Sequence, residues 1–130
     1  MGICCGVDII EIGRVKEALE TWGEEFLRKV FTQNEISYCE GKQAARYQHY
    51  AVRFAAKEAV AKAIGAGLTG NMPWTDIEVA RDTNGKPYAI LYSKAKDAMA
   101  KAGITEIVLS LSHCKDYAVA YAVGYVGEGK

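Results

Sequence analysis

The sequence predicts an α+β fold, with helices packed on one face of a mainly antiparallel sheet. Three observations carry that expectation. The segment from roughly Ala44 to Ile64 places small residues, Val52, Ala55, Ala56, Ala59 and Ala63, on one stripe at helical spacing, so it can lie close against a sheet. Residues 107–113 and 117–126 alternate with period two. In the second run Tyr117, Val119, Tyr121, Val123 and Tyr125 are large, while Ala118, Ala120, Ala122 and Gly124 are small. The small side is the expected seat of the alanine-striped helix. Asn84-Gly85, between two strand-like runs, marks a hairpin.

The elements follow in order. Ile3-Cys4-Cys5-Gly6-Val7-Asp8-Ile9-Ile10 reads as a strand buried on both faces, and Gly13 breaks the pattern. Arg14 to about Thr21 reads as a short amphipathic helix with Val15, Ala18, Leu19 and Trp22 on its apolar side. Phe26, Leu27, Val30 and Phe31 form a second apolar cluster. Thr32-Gln33-Asn34-Glu35 is a capping box, which starts a helix near Gln33 that ends by Gly41. The long helix stops at Gly65-Ala66-Gly67. Its other half mixes Phe54, Ala61 and Ile64 with Arg53, Lys57, Glu58 and Lys62, a mixture suited to the wall of a cleft or an interface. Strands over 76–81 and 87–92 flank the loop 82–86. Ser93 is expected to cap a helix reaching Ala102, with Gly103 as its stop.

At 130 residues the chain is expected to form one domain over 1–130 with a substantial core. Sixteen basic and sixteen acidic residues cancel, which argues against general nucleic-acid binding. The charge is uneven, however. Residues 41–70 hold Lys42, Arg46, Arg53, Lys57 and Lys62 against Glu58 alone. Such a field suits a phosphorylated ligand or an acidic partner, and equally a solvated helix face. Cys4, Cys5, Cys39 and Cys114 form no CxxC pair and read as reduced thiols of a cytoplasmic protein. The apolar start is short and lacks a basic flank, so no secretory leader is expected, and no run is long enough to cross a bilayer.

Two carboxylates stand where the pattern is apolar: Asp8 in the first strand and Glu58 in the alanine-rich helix. A buried carboxylate without a partner costs several kcal/mol. Together they could hold Mg²⁺, which takes oxygen ligands and keeps much of its water. Spacing alone equally allows Asp8 to pair with a basic residue and Glu58 to sit on a surface. Lys57 and Lys62 flank Glu58 and could meet phosphate oxygens, or Lys62 could simply pair with Glu58 one turn away. His113 ends a strand beside Cys114, but neighbours on a strand point apart, so no Cys–His dyad is expected there. His49 falls on the polar side of its helix and reads as solvated.

Gly6-Val7-Asp8-Ile9 with Arg14, then Arg53-Phe54-Ala55-Ala56-Lys57-Glu58-Ala59 and Lys62-Ala63, resembles the 4′-phosphopantetheinyl transferases of the short, stand-alone type. Phe31-Thr32, Tyr38-Cys39, Asp76-Ile77-Glu78-Val79, Asn84-Gly85-Lys86-Pro87 and Ser110-Leu111-Ser112-His113 follow that family's order, so the likeness covers nearly the whole chain. The resemblance implies transfer of the phosphopantetheine arm of coenzyme A to a serine of apo-acyl carrier protein, with Mg²⁺ and release of adenosine 3′,5′-bisphosphate, for fatty acid biosynthesis. It implies Asp8 and Glu58 as metal ligands, Glu58 and Lys62 as catalytic groups, and Lys57 and Lys62 as phosphate contacts. It implies Arg53, Gly65, Asn84, Gly85, Lys86, Pro87 and His113 as the coenzyme A wall and Arg14 as the carrier-protein contact. It gives Cys4 and Cys5 no role. Larger relatives hold two such halves in one chain. A single half implies a homotrimer with sites between subunits, and the large-residue face Tyr117–Tyr125 is a plausible contact.

Two rival readings remain at this point. A non-catalytic oligomer that binds coenzyme A or a carrier protein would need the basic wall but neither carboxylate. An unrelated Mg²⁺ phosphohydrolase would usually offer more carboxylates than Asp8 and Glu58.

Overall fold

The computed structural model describes residues 2–67 and 72–127. The chain runs β1 (Gly2–Glu11), α1 (Ile12–Trp22), α2 (Glu24–Val30), α3 (Gln33–Glu40), α4 (Arg46–Ile64), β2 (Ile77–Arg81), β3 (Pro87–Leu91), α5 (Ser93–Lys101), β4 (Ile104–His113) and β5 (Tyr117–Val126). Short 3-10 turns at Gln43–Ala45 and Trp74–Asp76 lead into α4 and β2. An antiparallel sheet in the order β1-β5-β4 carries α4 across one face, and β2-β3 forms a separate antiparallel hairpin. The α+β arrangement is the expected one, with its sheet in two pieces. No described helix is long and apolar enough to cross a membrane.

The small-residue stripe does what its chemistry allows. Ala55, Ala56 and Ala59 of α4 and Ala118, Ala120 and Ala122 of β5 are wholly buried. Gly6 of β1 pairs with Ala122 in the ladder. A β-carbon on Gly6 would run into the Ala59 carbonyl oxygen and lie 2.8 Å from Cβ of Lys62. Only glycine lets helix and strand approach this closely. The even-numbered residues of β1, Cys4 to Ile10, therefore face α4, and Asp8 is among them.

The other face of the same sheet is bare. Ile3, Val7 and Ile9 are 68%, 52% and 64% exposed. They stand beside Tyr125, Tyr121 and Val119 in the ladder, and Tyr117, Tyr121 and Tyr125 are also exposed. The expectation that β1 is buried on both faces is thus corrected. One layer of helices covers one side of the sheet, and among the described residues nothing covers the exposed side chains of β1 and β5 on the other.

Local signals were obeyed unevenly. Thr32 and Glu35 form the expected capping box: Thr32 Oγ1 accepts from the Glu35 N–H at 3.3 Å, and the Thr32 N–H donates to Glu35 Oε1 at 2.9 Å. Gly65 ends α4 in the left-handed conformation at φ 75°. Gly13 lies inside α1 rather than before it, because the helix begins at Ile12, whose N–H is held by the Asp116 carbonyl at 2.9 Å. The long helix starts at Arg46, two residues later than expected, after the 3-10 turn. Ser93 does not cap α5. Asp76 does so from outside, its Oδ2 accepting from the N–H groups of Lys94 and Ala95 at 2.9 and 3.3 Å. A carboxylate serves those orphan donors better than a hydroxyl.

Candidate active site

Phe54, Glu58 and Lys62 succeed one another at four-residue spacing along α4 and so share one face of it. The close approach at Gly6 brings that face to Asp8. Lys62 Nζ donates to Asp8 Oδ1 at 3.2 Å and to the Val7 carbonyl at 3.0 Å. Lys62 therefore pairs across to β1, not with Glu58 along its own helix. Burial and the Asp8 charge hold the Glu58 carboxyl above its usual range, with Lys62 pulling the other way. Two carboxylates that repel each other beside one ammonium describe a site for a further positive charge. Asp8, Glu58 and Arg14 line a cleft of about 670 Å³ whose apolar wall includes Val15, Phe26 and Phe54. Arg14 pairs with Glu11 at 3.2 Å, and both are largely exposed.

The donor set fits a hard cation. Both ligand candidates are carboxylates, and among the described residues no group of three or more His, Cys, Asp or Glu could form a closed cage. A cation that keeps water and takes oxygen from its substrate needs no more protein than this.

A second grouping lies on another face of α4. Arg53 is buried, its guanidinium 4.2 Å from the centre of the Tyr38 ring, and its Nη1 donates to the His49 carbonyl at 3.5 Å. Its Nε is buried without a hydrogen-bond partner among the described residues. The His49 ring stands 6.4 Å from that of His113, at the end of β4. Burial, then the charges of Arg53, Lys42 and Arg81, push His49 down to about 4. It is not the solvated residue expected from its position. Arg81 also donates to the Gly85 carbonyl at 2.7 Å and so braces the loop that carries Asn84, Gly85 and Lys86. Lys86 and Pro87 line a separate cleft of about 230 Å³ against Glu106–Leu109. Gly65 sits at the far end of α4, its N–H bonded to the Lys62 carbonyl at 3.2 Å.

Lys57 belongs to neither grouping. It was expected on the phosphate-binding wall, and the structure puts it in the core with no exposed surface. Its ammonium pairs with Glu35 Oε1 at 2.8 Å and donates to the carbonyls of Trp74, at 3.2 Å, and of Ile77. Three donors meet three acceptors, which leaves none for a phosphate. The reason is angular. Successive residues on a helix point about 100° apart, so when Glu58 faces the cleft, Lys57 faces inward. Ala61 and Ile64, expected on a cleft wall, are core residues for the same reason.

Sequence reasoning missed His49, Tyr38 and Glu35. His49 is one turn before Arg53, a signal that could have been used. Glu35 was read only as a cap, and its second partner is supplied by tertiary packing.

With this geometry in place, the chain can be set beside known proteins. A family model described as the 4′-phosphopantetheinyl transferase superfamily matches residues 4–122. A holo-[acyl-carrier-protein] synthase from Ruminiclostridium cellulolyticum is 52% identical over 128 residues, covering 98% of this chain and 96% of that protein. The holo-[acyl-carrier-protein] synthase of Helicobacter pylori, solved in complex with coenzyme A, superposes with a TM-score of 0.80 at 28% identity over 93% of this chain and 99% of the other. That of Bacillus anthracis, solved with coenzyme A (3′,5′-ADP), gives 0.75 at 35% identity over 93% and 94%. The family match spans both the carboxylate strand and the helix facing it, and the chain belongs to the 4′-phosphopantetheinyl transferase superfamily.

Proposed function

We propose that this protein is a holo-[acyl-carrier-protein] synthase, which moves the 4′-phosphopantetheine group of coenzyme A onto a serine of apo-acyl carrier protein in the cytoplasm, for fatty acid biosynthesis. The observation that carries the reading is the juxtaposition of Asp8, Glu58 and Lys62 across the β1–α4 contact. The names of the close relatives and the coenzyme A bound in two solved neighbours support it. A non-catalytic binding oligomer is disfavoured, since binding alone would not need two carboxylates held against each other.

Asp8 and Glu58 would hold Mg²⁺. When bound, that ion would neutralise charge on the diphosphate of coenzyme A. The remaining roles fall to the chain. The serine hydroxyl attacks the phosphorus that carries the pantetheine arm, and the bond to adenosine 3′,5′-bisphosphate breaks. Glu58, its carboxyl raised by burial and by Asp8, would take the serine proton, directly or through water. Lys62, already beside Asp8, neutralises the departing phosphate. His113 and the loop Asn84–Pro87 would form the wall for the rest of coenzyme A, with Arg53 buried behind it against Tyr38 and Gly65 at the end of α4.

Intact-mass analysis of apo-acyl carrier protein incubated with this protein, coenzyme A and Mg²⁺ tests the reading. Wild-type protein should add one phosphopantetheine, and chelator should stop it. Asp8→Ala and Glu58→Ala should each lower the rate by about 10²–10⁴-fold while the far-ultraviolet spectrum stays native. Full activity in both variants contradicts the reading, as does indifference to chelator.

The assembly proposed is a homotrimer with its sites between subunits. Two features support it: the bare apolar sheet face and the placement of the two groupings on different faces of α4. Sedimentation equilibrium should give three times the chain mass, and a fully active monomer would rule the trimer out.

Arg14 sits on the rim of the Asp8–Glu58 cleft, exposed enough to meet an acidic carrier protein. A contact of this kind acts on encounter and is screened by salt. Arg14→Glu should raise KM for the carrier protein at least tenfold at low salt, less at moderate salt, with KM for coenzyme A nearly unchanged. An unchanged carrier-protein KM at low salt leaves Arg14 as no more than the partner of Glu11.

A further inference from the structure

Lys57 precedes the proposed base by one residue, yet faces the opposite environment. It lies in a buried polar network that ties four elements together. Glu35, at the start of α3, takes the Lys57 ammonium on Oε1 and the Val79 N–H of β2 on Oε2, the latter at 2.7 Å. Thr32 donates to Glu78 Oε2 at 2.5 Å, and Tyr92, just before α5, donates to Glu78 Oε1 at 2.7 Å. Glu35, Lys57 and Glu78 are each at most 3% exposed. Because the Lys57 donors are saturated, the pair has no free valence for a ligand.

The network reaches the cleft by two routes. The first is the backbone: a helix whose residue 57 is pinned inward cannot rotate about its axis, so residue 58 is pinned toward Asp8. The second is the Trp74 carbonyl, which Lys57 holds at 3.2 Å. The Trp74 ring stacks on Phe54, centroids 4.7 Å apart, and Phe54 forms part of the cleft wall beside Glu58. Releasing Lys57 therefore frees both the rotation of α4 and the backing of its cleft face.

We propose that Lys57 and Glu35 are a positioning pair for the transfer reaction: they touch no substrate, and they set the rotation of α4 that points Glu58 at Asp8. The inference rests on the transferase reading above and adds two residues with a role distinct from ligand binding. A polar pair stands where an apolar pair would fill the space, and a directional contact fixes one rotation of a helix in a way that apolar packing does not.

The test uses Lys57→Met, Glu35→Gln and the double variant in the full chain with Mg²⁺. Each is measured for melting temperature, coenzyme A affinity by calorimetry, and kcat and KM in the transfer assay. The double variant removes both buried charges, so it remains testable if either single variant fails to fold. The proposal expects a folded double variant with kcat lowered at least tenfold and a coenzyme A Kd within twofold of wild type. It also expects non-additivity, the double variant being no worse than the poorer single one. A folded double variant with wild-type kcat overturns the positioning role. A tenfold weaker coenzyme A Kd in Lys57→Met, with Glu35→Gln unaffected, overturns it in favour of direct contact. Wild-type protein that binds coenzyme A and transfers nothing overturns the parent reading, an outcome visible before any variant is made.

Discussion

The backbone contact between β1 and α4 at Gly6 is the constraint on which the rest depends. A helix normally packs on a sheet with side chains between them. Here Gly6 supplies none, and Ala59 and Ala122 supply almost none, so a strand and a helix meet nearly backbone to backbone. That approach places a strand carboxylate opposite a helix carboxylate. Hydrophobic burial drives the packing, and the carboxylates are carried along at a cost that Lys62 only partly offsets. A site strained by its own charge in this way is suited to a further cation. The same close packing stabilises the fold and prepares the site.

The buried pair Lys57–Glu35 belongs to the same design. Removing one partner of such a pair costs about 3–5 kcal/mol, because the other charge is left stranded. Glu35 is satisfied on both oxygens, Lys57 on all three donors, and Glu78 on both oxygens. A fully satisfied network of this kind favours one arrangement of α3, α4, β2 and the start of α5 over near alternatives. The adjacent residues Lys57 and Glu58 thus divide the labour, one inside the core and one on the cleft.

What the sequence disclosed follows from how local each signal is. The capping box at Thr32, the glycine stop at Gly65, the hairpin loop and the alternation of β5 depend on neighbours in the chain, and the structure has them all. The pairing of Asp8 with Glu58 was visible as two carboxylates in apolar surroundings, although nothing in their spacing shows that they meet. The failures needed distant partners. Ser93 was displaced as a cap by Asp76, Lys57 was drawn inward by Glu35, and His49 is half-buried beside the rings of Tyr38 and His113. The bare face of β1 was misread because an apolar strand has the same composition whether its own chain covers both of its faces or only one.

If the β1–α4 contact forces Asp8 and Glu58 together, Glu58 must feel the charge of Asp8. The most direct measurement is the titration of the Glu58 carboxyl carbon by NMR in metal-free protein, in wild type and in Asp8→Asn. The account requires Glu58 to titrate above the ordinary glutamate range in wild type and to fall when the Asp8 charge is removed, because one of the two influences that raise it has gone while burial remains. Identical titration curves in the two proteins would mean that the carboxylates do not face each other, and the site built on their proximity would fall with them.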